Sequence, residues 1–285
     1  MKKRSPKESS PCSEFREFHT PTSGLFFKTD KILCSRTSAF QKIEVFDHDF
    51  YGKVLFLDGL VQTTERDESY YHEMLVHPAL VCHPAPKSVL IIGGGDGGAL
   101  RQVLSYPVKH ATLVEIDPEV IEVCRVHFPW LKSCLKDKRA ELVVADGNEF
   151  LARSQRTFDI ILVDSSDPVG PSAVLHQKEF FRKLKKRLNP GGVAACQAGS
   201  LLLHGDSFRT KAKFLKGIFR VARFYSSPVP AYPGGTWVYN FLSDGKKQSP
   251  KDLKELFCMI EGGDLWNVAD SNHDEEVKIT IEVED

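Results

Sequence analysis

The sequence predicts an α/β protein: a mostly parallel sheet flanked by helices, preceded by a small N-terminal antiparallel β domain. Three observations carry this prediction. From Lys87 onward, short apolar runs alternate with segments of helical periodicity. A glycine-rich turn, "GGGDGG" at 93–98, separates the first such run from the first such helix. Residues 25–65 instead alternate polar and apolar side chains between turn signals.

Taken in order, the first dozen residues, "MKKRSPKESSPC", are charged and rich in Ser and Pro. With no apolar core they read as a disordered tail over 1–13, not a secretory signal. Residues 14–70 form the expected β domain, with Tyr51-Gly52 and Asp58-Gly59 at turns. "ERDESYYHEMLVHPALVCH" then turns helical and is closed by Pro84 and Pro86. The larger domain, 71–245, repeats strand–helix units in "SVLIIGGGDGGALRQVL", "ATLVEIDPEVIEVCRVHF", "AELVVADGNEFLAR" and "FDIILVDSSDP". "EFFRKLKKRLNPGGVAACQAGS" reads as a helix, a Pro-Gly-Gly stop and another strand. "VARFYSSPVPAYPGGTWVYNFLSD" reads as two antiparallel strands, the closing pair found in S-adenosylmethionine-dependent methyltransferase folds. Residues 246–285 are expected to hold a helix and an acidic tail, "ADSNHDEEVKITIEVED".

Composition removes several classes of function. Lys plus Arg equals Asp plus Glu, 38 each, so no global field points to nucleic acid or an anionic membrane. No apolar stretch approaches the roughly 20 residues of a membrane span. Seven cysteines are scattered without a CxxC pair, which reads as reduced thiols in a cytoplasmic protein.

The chemistry gathers at strand ends. Gly93, Gly95 and Gly98 fit G-x-G-x-x-G between strand and helix, a turn through which a ligand approaches backbone N–H groups. Asp96 inside that loop would repel a pyrophosphate, and equally a carboxylate, while welcoming an ammonium. Glu115 ends the next strand, where an acid accepts from ribose hydroxyls in nucleotide-binding folds. Asp117, before Pro118, reads as a helix N-cap. Asp146 in "ADG" is balanced between a cap and an acceptor for an exocyclic amine. Asp164 and Asp167 follow in "VDSSDPVGP". The five acids Asp96, Glu115, Asp146, Asp164 and Asp167 all fall on the carboxyl edge of one parallel sheet with no Lys or Arg between them. Carboxylates so crowded destabilise one another unless a cation offsets them, so the site is read as one for cationic substrates.

Two patterns carry no site. "HEMLVH" resembles a zinc-protease motif, but His72 and His77 are five residues apart, about 140° around a helix. The basic runs "RKLKKR" and "RTKAKFLKGIFRVAR" read as solvated helix faces.

Several spaced motifs in order, "LDGLVQTTERDESYYHEM", "VLIIGGGDGGALRQVL", "VEID" and "VDSSDPVGP", resemble the polyamine aminopropyltransferases, in the form of the spermidine synthases, over about residues 15–244. The resemblance implies a Rossmann-like larger domain, a homodimer, no metal and no cofactor beyond a co-substrate, decarboxylated S-adenosylmethionine. Its aminopropyl group would pass to putrescine, giving spermidine and methylthioadenosine. Residue by residue it implies that Asp96 holds the amino group of the aminopropyl arm, Glu115 the ribose, and Asp146 with Gly147 the adenine edge. Gln41, His72 and Pro171 would complete the donor site with the loop glycines. Asp164 would be the catalytic acid, assisted by Tyr71. Asp167, Tyr71, Tyr232, Gln62 and Gln197 would line the amine site.

Charge then implies a mechanism. A primary ammonium, with a pKa of about 10.4 as in lysine, has no lone pair. Asp164 would take its proton and orient the nitrogen for in-line attack on the propyl carbon next to the sulfonium. Ser165 to His176 would be a lid. Gly199 and Leu202 stand where many family members carry an acid and a Trp, Glu14 stands where they carry a Trp, and "PTYP" is "PAYP". These departures bear on the acceptor amine. A methyltransferase on the same fold, a different amine acceptor and a non-catalytic polyamine-binding relative are the alternatives.

Overall fold

The structure, a computed structural model, describes residues 12–166 and 170–245. The chain divides into two compact units, 1–66 and 67–285. The boundary therefore falls just before the helix that carries Tyr70 and Tyr71, a few residues ahead of the expected position. Most of the two expected tails lies outside the described residues, although Ser13 already opens a strand.

In the first unit, strands β1 (Ser13–Thr20) and β2 (Ser23–Thr29) form an antiparallel hairpin. Strands β3 (Lys31–Thr37), β4 (Lys42–His48), β5 (Gly52–Leu57) and β6 (Leu60–Thr64) form a four-stranded antiparallel sheet in sequential order. Phe15, Phe27, Phe46 and Phe56 meet ring against ring and supply its core. The buried Glu17 carboxylate accepts from the Val61 amide at 2.8 Å, tying the hairpin to β6.

The second unit opens with helix α1 (Glu68–Cys82). Strands and helices then alternate: β7 (Ser88–Gly93), α2 (Gly98–Leu104), β8 (His110–Glu115), α3 (Pro118–His127), α4 (Pro129–Cys134), β9 (Ala140–Val144), α5 (Gly147–Arg153) and β10 (Phe158–Asp164). A 3₁₀ segment, Gly170–His176, leads to α6 (Lys178–Lys186), β11 (Leu188–Ser200), α7 (Leu201–Lys216), β12 (Val221–Pro228) and β13 (Thr236–Ser243). The sheet order is β12-β13-β11-β10-β7-β8-β9, with β13 antiparallel to both of its neighbours and the other pairs parallel. The expected Pro-Gly-Gly stop is absorbed into the start of β11, where the register shifts against β10.

The apolar runs are continuous because helices cover both faces of this sheet. Val89, Ile91, Ile160 and Leu162 face α1 and α2, while Leu90, Ile92, Ile161 and Val163 face Phe180, Phe181 and Leu184 of α6. Pro78 lies inside α1 and has no N–H for the Met74 carbonyl. Tyr225 of β12 supplies the missing donor, its hydroxyl reaching that carbonyl at 2.8 Å. No helix among the described residues is long and apolar enough to cross a membrane. Cys82, Cys124, Cys134 and Cys196 are buried and not disulfide-bonded, whereas Cys12 is exposed.

Candidate functional site

In open α/β sheets, ligands bind beyond the carboxyl ends of the strands where the strand order reverses. Here that point lies between β7 and β10, and both strands end in the residues singled out from sequence. Asp164 pairs in register with Gly93. Gly94, with φ of 71°, turns the chain so tightly that a Cβ there would lie 2.6 Å from Asp164 Oδ2. The space left by the missing side chain is thus occupied by a carboxylate. Gly95 is similarly close to the Glu115 carboxylate, and Gly147 to Ile92.

Three acids are buried together by these turns. Asp164 is 9% exposed, and the hydroxyl of Tyr71, on α1, donates to its Oδ1 at 2.7 Å. Its Oδ2 is buried with no hydrogen-bond partner among the described residues. Asp96 accepts the Gly98 amide on Oδ1 at 2.8 Å and presents Oδ2 to His72 Nε2 at 3.4 Å. The Trp130 indole N–H holds the Asp96 carbonyl at 3.0 Å. Glu115 accepts the Asp117 amide at 3.0 Å, and burial pushes it up to about 7.

The cation that this crowding requires comes from α1 and α2, not from the strand ends. His72 is 2% exposed; its Nδ1 lies 2.7 Å from Glu68 Oε2, and its Nε2 lies 3.9 Å from Asp164 Oδ2. Arg101 of α2 pairs with Glu68 and stacks over Trp130. Burial opposes a charge on His72, but Asp96, Glu68 and Asp164 override it and hold the imidazole well above its ordinary range. His72, Asp96 and Asp164 each offer one ligand atom within 4.8 Å of the others. A metal there would have to displace the proton that these carboxylates favour on the imidazole. Sequence reasoning named His72 but missed Glu68 and Arg101. The spacing of Glu68 and His72, four apart on one helix face, was the readable signal.

Gly98 explains how the ring is held. A Cβ there would lie 2.1 Å from His72 Cε1 and 2.5 Å from Nε2. Gly98→Ala is therefore expected to push the imidazole off Asp96 and to cost about 1–3 kcal/mol of stability by overpacking. Urea unfolding measures this cost, and an unchanged midpoint would contradict the contact.

Beside Asp164, the Tyr232 and Tyr71 rings stand 5.4 Å apart, centroid to centroid. Burial raises both phenols well above their usual range, and Asp164 adds to the effect. Gln197 donates to the Ser165 and Ser166 carbonyls at 2.8 and 3.1 Å, leaving its buried Oε1 without a partner among the described residues. Gly199 has φ of 112°, and a side chain there would run into His204, whose Nδ1 accepts the Ser200 amide. Leu202 is 75% exposed.

The remaining expectations divide as follows. Asp117 caps α3 through the Glu119 amide, as its sequence predicts. Asp146 caps α5 through the Glu149 amide at 3.0 Å, which resolves half of its balanced reading toward the cap. His77 of the rejected zinc motif bonds Tyr106 instead. Pro171 falls at the start of the 3₁₀ segment. Gln41 and Gln62 belong to the first unit, Gln62 donating to its neighbour Leu60. Asp167, with Pro168 and Val169 of the expected lid, lies outside the described residues.

The family model described as the spermine/spermidine synthase domain matches residues 68–252, which span this cluster of acids. The chain belongs to that family. A second model, described as the spermidine synthase tetramerisation domain, matches residues 15–65. The chain is 39% identical over 237 residues to a polyamine aminopropyltransferase of Shouchella clausii, covering 83% of this chain and 86% of that one. It is 38% identical over 243 residues to one of Methanocaldococcus jannaschii, covering 85% and 82%. Among solved structures it is similar to a spermidine synthase in complex with the transition-state analogue AdoDATO (TM-score 0.81, 36% identity, 88% of this chain and 86% of that one). The spermidine synthase of Thermotoga maritima matches at TM-score 0.79 and 36% identity, over 88% and 85%. These likenesses bear out the Rossmann-like sheet and the small antiparallel N-terminal domain of this spermine/spermidine synthase family member.

Proposed function

We propose that this aminopropyltransferase is a spermidine synthase, moving the aminopropyl group of decarboxylated S-adenosylmethionine to putrescine, with spermidine and methylthioadenosine as products. The observation that carries the reading is the buried Asp164 carboxylate, oriented by Tyr71 on one oxygen and, among the described residues, without a hydrogen bond on the other. Asp96 and Glu115 are assigned to the donor's ammonium and ribose. Asp146 and Gly147 are assigned to its adenine, and His72, Gln41, Gly93, Gly95 and Pro171 to the surrounding donor site. Asp167, Tyr232, Gln62 and Gln197 are assigned to the amine. Asp96 disfavours the methyltransferase alternative, whose donor carries a carboxylate at that point. The first unit's likeness to a tetramerisation domain supports an oligomer, and light scattering distinguishes a tetramer from the homodimer expected from sequence.

The reaction follows from charge. The attacking ammonium hands a proton to Asp164 Oδ2, freeing its lone pair for the carbon attached to sulfur. The C–S bond breaks as the C–N bond forms, and the sulfonium leaves as a neutral thioether. The propyl ammonium held by Asp96 is not consumed. Incubating the chain with the decarboxylated donor and putrescine, cadaverine, agmatine or spermidine tests the reading by product mass. Exclusive use of an acceptor other than putrescine would overturn the spermidine assignment.

Asp164 is a fitting base because burial raises it to about 6, against the lowering influence of His72 and of the Tyr71 hydroxyl. Only the ionised form accepts a proton, so kcat/KM for the amine is expected to fall tenfold per pH unit below about 6. The limb belongs to Asp164 together with the charged groups around it, His72 and Asp96. Tyr71→Phe removes a bond to the ionised form and is expected to move this limb to higher pH. A limb left in place would show that Tyr71 does not tune the carboxylate.

A further inference from the structure

The transfer chemistry makes no use of His72, although three carboxylates surround its ring. Its surroundings come from three elements. Glu68 and Glu73 share its helix, Asp96 and Arg101 lie in and after the glycine loop, and Asp164 ends β10. Tyr71 beside it is committed to Asp164. Both ring nitrogens face carboxylates: Nδ1 meets Glu68 at 2.7 Å and Nε2 meets Asp96 at 3.4 Å. A neutral imidazole donates from one nitrogen only, whereas an imidazolium donates from both. The geometry on the two sides of the ring therefore calls for the charged form, and burial leaves no water to offset its loss.

Cationic substrates enter the same cluster. An ammonium seated on Asp96 Oδ2 would stand beside Nε2, so two positive charges would share one buried carboxylate. The nitrogen on the Glu68 side keeps its hydrogen, because that carboxylate remains held by Arg101. We propose that His72 is the resident cation of this pocket and releases its Nε2 proton to solvent when the ammonium of the aminopropyl donor binds to Asp96. At Asp96 one positive charge enters and one leaves, so the charge beside that carboxylate is conserved, while the donor's sulfonium adds a second positive charge that this exchange does not offset. The neutral Nε2 then offers its lone pair to the incoming N–H and changes from donor to acceptor. This rests on the donor reading given above.

The test is made on the full chain at pH 8, above the regions where Asp164 and Glu115 titrate. In the ligand-free protein, ¹⁵N spectra of labelled histidine are expected to show His72 protonated on both nitrogens. A neutral ring there would overturn the proposal. Titration with decarboxylated S-adenosylmethionine in phosphate and in Tris, buffers of unlike ionisation enthalpy, is expected to release close to one proton per site. Neutral methylthioadenosine is expected to release none. His72→Gln is expected to bind the donor more weakly, and whatever donor it binds is expected to release no proton. Donor binding with the imidazolium signal intact, or with equal apparent enthalpies in the two buffers, would overturn the proposal. Failure of the wild-type chain to bind the donor would overturn the functional reading, while the ligand-free spectrum still decides the charge on His72.

Discussion

Asp164→Asn is expected to lower kcat by about 10²–10⁴, the usual contribution of a positioned acid or base, while leaving donor affinity within about threefold. The substitution keeps the shape and the carbonyl that accepts from Tyr71 but removes the basic oxygen. The attacking amine then has only water to take its proton, in a buried site. Donor affinity survives because Asp96 and Glu115 reside on separate loops. Single-turnover transfer and donor titration separate the two quantities. The sign of the stability effect offers a second check. A carboxylate raised to about 6 in the folded protein, from an ordinary 3.8, stabilises the fold below about pH 3.8 and loses that contribution as pH rises through 6. Above pH 6 the ionised group weighs against folding, so the thermal midpoint of Asp164→Asn at pH 8 is expected not to fall. A variant that turns over near the wild-type rate would remove Asp164 from the mechanism.

Asp96→Asn is expected to abolish the choice between donors. On the proposed reading, the buried Asp96 faces the arm on which S-adenosylmethionine carries a carboxylate and the decarboxylated donor does not. Like charges there cost several kcal/mol, and a charge-assisted hydrogen bond to ammonium contributes about 1.5–3 kcal/mol. Asn retains the Oδ1 acceptor for the Gly98 amide, so the turn keeps its shape. Affinity for the decarboxylated donor should fall roughly 10- to 100-fold, by the same energies, and affinity for the carboxylated one should rise. Calorimetric titration with each donor reads the ratio directly. An unchanged ratio would mean that discrimination lies elsewhere and would revive the methyltransferase alternative.

The parallel sheet was legible because its strands are buried on both faces and announce themselves as apolar runs closed by Gly or Asp. Those closures also placed Asp96, Glu115, Asp146 and Asp164 on one edge, since parallel strands end on the same side. Contacts between helices were not legible. That Arg101 would reach Glu68, and Glu68 then His72, depends on how α1 packs on α2, which no local pattern encodes. The absence of Lys and Arg from the strand ends pointed to an external cation, yet the nearest one is a histidine of the chain itself. Asp146 resisted assignment for another reason: a carboxylate at a strand end that also precedes a helix serves both roles by the same geometry. The "NPGG" stretch, expected as a stop, is an irregularity inside β11: Leu188 pairs with Phe158 and Val193 with Ile160, the register shifts between them, and Gly191 turns the chain with φ of 80°.

Tyr225 completing the helix bond that Pro78 cannot make has a consequence for biosynthesis. The residues assigned to the substrates emerge early: Tyr71, His72 and Asp96 leave the ribosome long before β12 and β13. Until those last strands dock, the Met74 carbonyl has no donor, and the Tyr71 carbonyl lacks the Tyr239 hydroxyl. Asp67 likewise waits for the Ala231 amide, which seats the turn bearing Tyr232. A nascent chain therefore carries its acids before the bonds from β12, β13 and the turn between them to the start of α1 can form.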